Sequence, residues 1–260
     1  MAQSSRHKPR HHGRHIPLKP SGPWANGPIP VVGLVGGIGA GKSVAASALA
    51  GLGLLVLDAD AIGHALLAQR PARDLILDRF GSRILEATPG EVGKAPEGID
   101  EEDEQSDDGP RIDRRALGQI VFGDPAARRD LEAILHPPMR KTFERAIARA
   151  GRAKRIGVVL DAAILFEAGW NHLCDAVIFV DAPRELRLAR LAVSRGWPED
   201  VLDAREKAQA PLQEKRDRSD RVISNDGDPE ALRSKLAEWW SSFHPSRDFR
   251  GRPRPPRPPR

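Results

Sequence analysis

Two short stretches of the chain hold residue types whose spacing is chemical. Gly36, Gly37, Ile38, Gly39, Ala40, Gly41, Lys42 and Ser43 match G-x-x-x-x-G-K-[ST], a pattern whose chemistry is phosphate binding. Glycines let successive backbone N–H groups curl around a β-phosphate, and the helix that follows points its positive dipole end at the same anion. Lys42 is expected to bridge the β- and γ-phosphates of ATP, and the Ser43 hydroxyl to ligate Mg²⁺. Gly37, Gly39, Ala40, Gly41, Lys42, Ser43 and Val44 make up the predicted ATP-binding loop. A glycine-rich turn between strand and helix also serves tight packing, but packing gives no reason for the lysine.

The second stretch is Asp58-Ala59-Asp60. Residues two apart in an extended chain face the same way, so both carboxylates are expected on one side. In a phosphoryl-transfer site Asp58 would hold Mg²⁺ through water. Asp60, further from the sheet, would accept or orient the proton of an acceptor hydroxyl. The competing role for Asp60 is to cap the helix beginning at Ala61, a common use of Asp after a strand. Asp161, at the end of a later apolar run, stands where many P-loop proteins keep a carboxylate near Mg²⁺.

Such groups need a scaffold that brings loop ends together. IPVVGLVGG at residues 29–37 reads as a strand entering the glycine-rich turn, and SVAASALAGLG at 43–53 as an Ala-rich helix closed by glycine. LLVLDAD at 54–60 reads as a second strand, buried on both faces. RIGVVLDAAILF, DAVIFVDA and DRVISND supply three more, each expected to lead into a helix. Strands alternating with helices predict an α/β three-layer P-loop fold with a five-stranded parallel sheet, whose ligands collect at the carboxyl ends of the strands.

Composition bounds the class. At 260 residues, 40% hydrophobic and 30% charged, the chain suits one catalytic domain with appendages. No apolar run approaches the roughly 20 residues of a membrane span, and the first thirty residues lack a secretory signal, so a cytoplasmic location is expected. Cys174, the single cysteine, excludes an intrachain disulfide and reads as a small buried residue. The net charge of +5 belongs to the ends. Residues 1–29 hold five Lys/Arg and no acid, and residues 244–260 hold six Arg against Asp248, leaving residues 30–243 at −5. Nucleic-acid binding by the domain is therefore not expected. Both ends read as disordered tails able to contact acidic or proline-binding partners; His7, His11, His12 and His15 read as part of a solvated basic arm. Residues 86–110, which include Asp100, Glu101, Glu102, Asp103 and Glu104, read as an acidic insertion in a surface loop.

At this level of detail GGIGAGKS, LDADAIGHALL, LEAILHPPMR, AAILFEAGW and ISNDG resemble, in order and rough spacing, the dephospho-coenzyme A kinases. The resemblance spans about residues 31–243. It implies transfer of the ATP γ-phosphoryl to the ribose 3′-hydroxyl of dephospho-coenzyme A, with Asp60 as the catalytic carboxylate. It implies a helical acceptor-binding region over about 62–150, with Arg114, His136, Arg140 and Leu165 toward the acceptor. Read alone, His136-Pro137 ends one helix and precedes another, and His136 is a helix-end cap or a packed group. The turn holding Leu165, Phe166 and Glu167 has Ala163 where the family usually has proline, and Phe166 to Trp170 would line the acceptor pocket.

Arg184, Arg187, Arg190 and Arg195 crowd the segment 184–216, where the resemblance implies a mobile lid. Lid arginines neutralise charge on the transferring phosphoryl and exclude water. Arg190 and Arg195 are the best matches, Arg190 being the one assigned to catalysis, and Arg205 and Gln209 also match a lid pattern. Asn225 and Gly227 would frame the adenine of ATP, or else serve only a left-handed turn. Two rivals remain: another small-molecule kinase acting on a nucleotide or shikimate, and a nucleotide-binding regulator working through its tails.

Overall fold

The computed structural model describes Trp24, residues 27–86 and residues 109–243. Most of the two tails and most of the acidic insertion lie outside the described residues. Five strands form one parallel sheet: β1 (Val31–Gly36), β2 (Leu55–Asp58), β3 (Val158–Asp161), β4 (Ala176–Asp181) and β5 (Arg221–Ser224), in the order β2-β3-β1-β4-β5. All five strand readings hold. β2 departs in one respect: it is an edge strand with only Leu57 buried, not one covered on both faces.

Alternation along β1 divides the core. Val32 and Leu34 face a layer made by α1 (Lys42–Gly51) and α9 (Pro229–Phe243). Val31 and Val35 face α2 (Ala59–Leu66) and the second half of α5 (Pro125–Arg152). Between α2 and α5 lie α3 (Ala72–Phe80) and α4 (Arg114–Gly123), which share a separate small core of Leu67, Ile76, Phe80, Ile84, Ile112, Leu117 and Ala127. The acidic insertion leaves this helical region through a clasp. Leu85 pairs with Ile112, Glu86 N–H donates to the Arg111 carbonyl at 3.0 Å, and Asp113 N–H donates to Ile84 at 2.7 Å.

Three local readings are corrected. β3 leads not into an α-helix but into a compact turn over residues 163–169, followed by a single 3₁₀ turn at Trp170–Leu173. His136-Pro137 does not break the chain, because α5 runs unbroken through Pro137 and Pro138. Proline removes two intrahelical bonds there. Each half of α5 is anchored in a different core: Leu131, Ile134 and Leu135 pack on the small one, and Met139, Phe143, Ala146, Ile147 and Ala150 sit in the main one. The amino-terminal tail is also shorter than its composition implies. Trp24 is 2% exposed and meets Phe243 at a ring-centroid distance of 5.4 Å, and Ile29 is buried as well.

Candidate active site

The glycine-rich loop joins β1, the middle strand, to α1. Ala40 N–H closes a turn onto the Gly37 carbonyl at 3.0 Å. Gly39 (φ 79°) and Gly41 (φ 93°) take left-handed angles that a side chain would strain. Gly41 is the N-cap of α1, and no side chain caps it, so the first-turn amides of Lys42, Ser43 and Val44 are left for an anion.

One flank of the loop is acidic. In the sheet register Asp161, the last residue of β3, pairs with Asp58, the last of β2, and with Leu34 of β1. Lys42 Nζ forms a short ion pair with Asp161 Oδ1. Burial pushes the Asp161 carboxyl up from its ordinary range; Lys42 pulls it down, and the charges of Asp58 and Asp60 raise it further. Three carboxylates therefore share one electrostatic neighbourhood. They reach it differently from the extended-chain expectation: the strand stops at Asp58, which is itself the helix cap, accepting from Ala61 N–H at 3.0 Å. Asp60 lies exposed in the first turn of α2. The capping role foreseen for Asp60 belongs to Asp58.

The other flank is cationic and amide-rich. Asn225, 5% exposed at the end of β5, donates from Nδ2 to the Ala40 carbonyl at 2.8 Å, and its own N–H donates to Asp181 at 2.6 Å. A Cβ on Gly41 would stand 2.1 Å from that Nδ2, so the glycine makes room for the brace. The segment after β4 forms α6 (Arg184–Arg195), α7 (Glu199–Glu206) and α8 (Leu212–Arg218). Arg190 Nη2 donates to the Asn225 carbonyl at 3.0 Å, and its Nη1 is buried with no hydrogen-bond partner among the described residues. Arg187, 5% exposed, donates to the Ile38 carbonyl at 3.2 Å and pairs with Glu206. Arg184 pairs with Glu199, Asp203 and Glu206. Arg187 and Arg190 are thus the arginines brought to the loop. Arg195 lies over Trp197 at 4.8 Å, and Arg205 over the same ring at 4.3 Å.

Sequence reasoning underrated Asn225 and Arg187. Neither Asn225 nor Gly227 takes a left-handed angle, so the turn reading is corrected: Asn225 is a brace for the loop, and Gly227 is exposed. Arg187 precedes Arg190 by one helical turn, and that shared face was the available signal.

On the acceptor side the predicted residues fare unequally. His136 is half-buried, 5.1 Å edge-on from Trp170; burial lowers its pKa and Glu132 opposes this, so it is neutral near pH 7. Met139 packs in one core with Ala59, Ile62 and Leu66, tying the helix of His136 to that of Asp60. Arg114 is exposed at the start of α4, where Asp113 caps, and Arg140 is exposed, 3.9 Å from Glu144. Leu165 is fully buried in the main core, so its side chain has no surface to offer an acceptor. Phe166 and Trp170 are also buried, a result of the tight turn in which they lie.

Among the described residues no three His, Cys, Asp or Glu side chains form a ready-made metal cage. Mg²⁺ in nucleotide sites is held by one or two carboxylates, waters and phosphate oxygens. Asp58 and Asp161 at adjacent strand ends, with an exposed Ser43 at the loop, fit that pattern.

A P-loop on the middle strand of a 2-3-1-4-5 parallel sheet, acids on one side and arginine-bearing helices on the other, defines a P-loop kinase. The family model for dephospho-CoA kinase matches residues 30–95 and 102–230, its gap falling in the acidic insertion. A dephospho-CoA kinase from Anaeromyxobacter dehalogenans is 38% identical over 230 residues, 88% of this chain and 98% of the relative. One from Symbiobacterium thermophilum is 38% identical over 81% of this chain and 80% of its own. A Thermus thermophilus crystal structure has TM-score 0.63 and 30% identity, covering 82% and 97% of the two chains. The chain belongs to the dephospho-CoA kinase family and is a phosphotransferase. No described helix is long and apolar enough to cross a membrane.

Proposed function

We propose that the protein transfers the γ-phosphoryl of ATP to the ribose 3′-hydroxyl of dephospho-coenzyme A, giving coenzyme A. The observation that carries this is the gathering of Asp58 and Asp60 about Asp161, the partner of Lys42, where β2 and β3 end and α2 begins. Lys42 leaves Asp161 for the β- and γ-phosphates, while the amides of Gly37 to Val44 hold the β-phosphate. Ser43, Asp58 and Asp161 would hold Mg²⁺, which would supply charge neutralisation at the phosphates. Asp60 accepts or orients the proton of the acceptor hydroxyl. Arg190, with its unpartnered Nη1 beside Gly41, takes charge on the transferring phosphoryl, and Arg187 supports the loop. His136, Arg114 and Arg140 bind the acceptor, and Asn225 and Gly227 flank the adenine of ATP. The reaction is placed in the cytoplasm.

The test is an acceptor panel. Purified protein with Mg²⁺-ATP is expected to make ADP with dephospho-coenzyme A and to add one phosphoryl mass to it. Equal turnover of AMP or shikimate overturns the acceptor assignment. Retention of turnover after removal of residues 1–23 and 244–260 is expected of a kinase and not of a regulator acting through its tails.

A further inference from the structure

Lys215 is fully buried, and an ammonium in the interior has to be compensated. Its Nζ donates to the Ala163 carbonyl at 2.7 Å and to Gln209 Oε1 at 2.9 Å, and lies 2.8 Å from Glu167 Oε1. Two of the ammonium protons are thereby donated, and the Glu167 carboxylate supplies the counter-charge. The same Glu167 oxygen accepts from the Ala210 N–H at 2.9 Å. The groups come from two places. Ala163 and Glu167 belong to the turn that begins two residues after Asp161, while Gln209 and Ala210 form the link between α7 and α8, and Lys215 is on α8. No step proposed above uses any of them. A lysine serving only solubility would lie in water, so this one marks a junction held to one geometry.

From that junction a continuous path reaches the P-loop. Gln209 N–H donates to the Glu206 carbonyl at 3.0 Å, the Glu206 carboxylate pairs with Arg187, and Arg187 donates to the Ile38 carbonyl at 3.2 Å. We infer that Lys215, with Glu167 as its counter-charge, is a positioning residue for the lid. It fastens residues 199–211 to the turn behind Asp161 and so sets where Arg187 and Arg190 meet the nucleotide loop. The inference rests on reading residues 184–216 as a lid over bound ATP. The bond from Lys215 to the Ala163 carbonyl also ties α8 directly to the turn after β3.

Glu167→Gln keeps the shape of the junction and removes its charge, and Lys215→Met removes the ammonium. Hydrogen exchange of residues 199–211 is expected to quicken roughly tenfold in Glu167→Gln, with α9 unchanged, since only the local opening changes. ATP hydrolysis without acceptor is expected to rise several-fold relative to phosphoryl transfer, because misplaced arginines admit water. The double variant is expected to lose no more than Lys215→Met alone. Unchanged exchange in residues 199–211, or hydrolysis and transfer falling together with folded protein, overturns the inference. Should Lys215→Met not fold, Glu167→Gln decides by itself. If the wild-type protein fails to phosphorylate dephospho-coenzyme A, the function proposal falls, while the exchange measurement still tests the junction.

Discussion

The two flanks of the P-loop are built on different principles. On the β2–β3 side, Asp58 and Asp161 are short side chains at the ends of hydrogen-bonded strands, so the sheet register sets their separation. On the β4–β5 side, Arg187 and Arg190 are long side chains on a helix that reach the backbone carbonyls of Ile38 and Asn225, with Arg187 also paired with Glu206. The first arrangement is stiff and suits groups that must meet a metal and a hydroxyl at fixed geometry. The second can exchange backbone carbonyls for phosphate oxygens when a nucleotide arrives, which suits groups that must close over it and let go.

Lys42 belongs to both, and its loss is expected to do most damage: Lys42→Ala should lower kcat/KM on the order of a thousandfold or more in a coupled ADP assay. Asp60→Asn tests the stiff flank. Turnover is expected to fall about 10² to 10⁴-fold while ATP binding, measured by calorimetry, is largely kept; wild-type turnover would show that the acid flank does not handle the acceptor proton. Asn225→Ala tests the other flank, and the lost buried bond is expected to raise KM for ATP about tenfold with a smaller change in kcat.

Asp58 separates structure from chemistry within one residue. Asp58→Ala should cost about 1 kcal/mol through the lost α2 cap, whereas Asp58→Asn keeps the cap and should chiefly raise the Mg²⁺ concentration needed for half-maximal rate. The smallest effect is expected from His136, whose pKa burial lowers from 6.5. Below that value the unfolded chain binds a proton that the folded one resists, so stability falls as pH drops. His136→Phe is expected to flatten the fall in Tm between about pH 7 and about pH 5.5 by a degree or two.

Much of the site was legible because its signals are local. The P-loop has all its essential groups within eight residues, whereas the period of two expected for Asp58 and Asp60 fails because the strand stops at Asp58. The same locality misled elsewhere. Prolines at 137 and 138 read as a break, but packing of the two halves of α5 into separate cores outweighs two missing bonds. Leu165 was assigned to the acceptor by resemblance, and close packing in the turn after β3 buried it. Among four arginines in α6, nothing in the residue type separated Arg190 from Arg195; the bond of Arg190 to Asn225 and the place of Arg195 over Trp197 did.

The amino-acid sequence by itself determined that a glycine-rich phosphate-binding pattern stands between a strand and a helix, and that a parallel sheet presents that loop. These follow from residue type and from periods of two or 3.6 residues. Only the tertiary structure decided that Asp161 is the partner of Lys42 from 119 residues away, that Asn225 braces Ala40 across 185, and that Lys215 is interior. Such pairings depend on strand order and burial, and a buried charge or amide takes its role from whichever distant group compensates it.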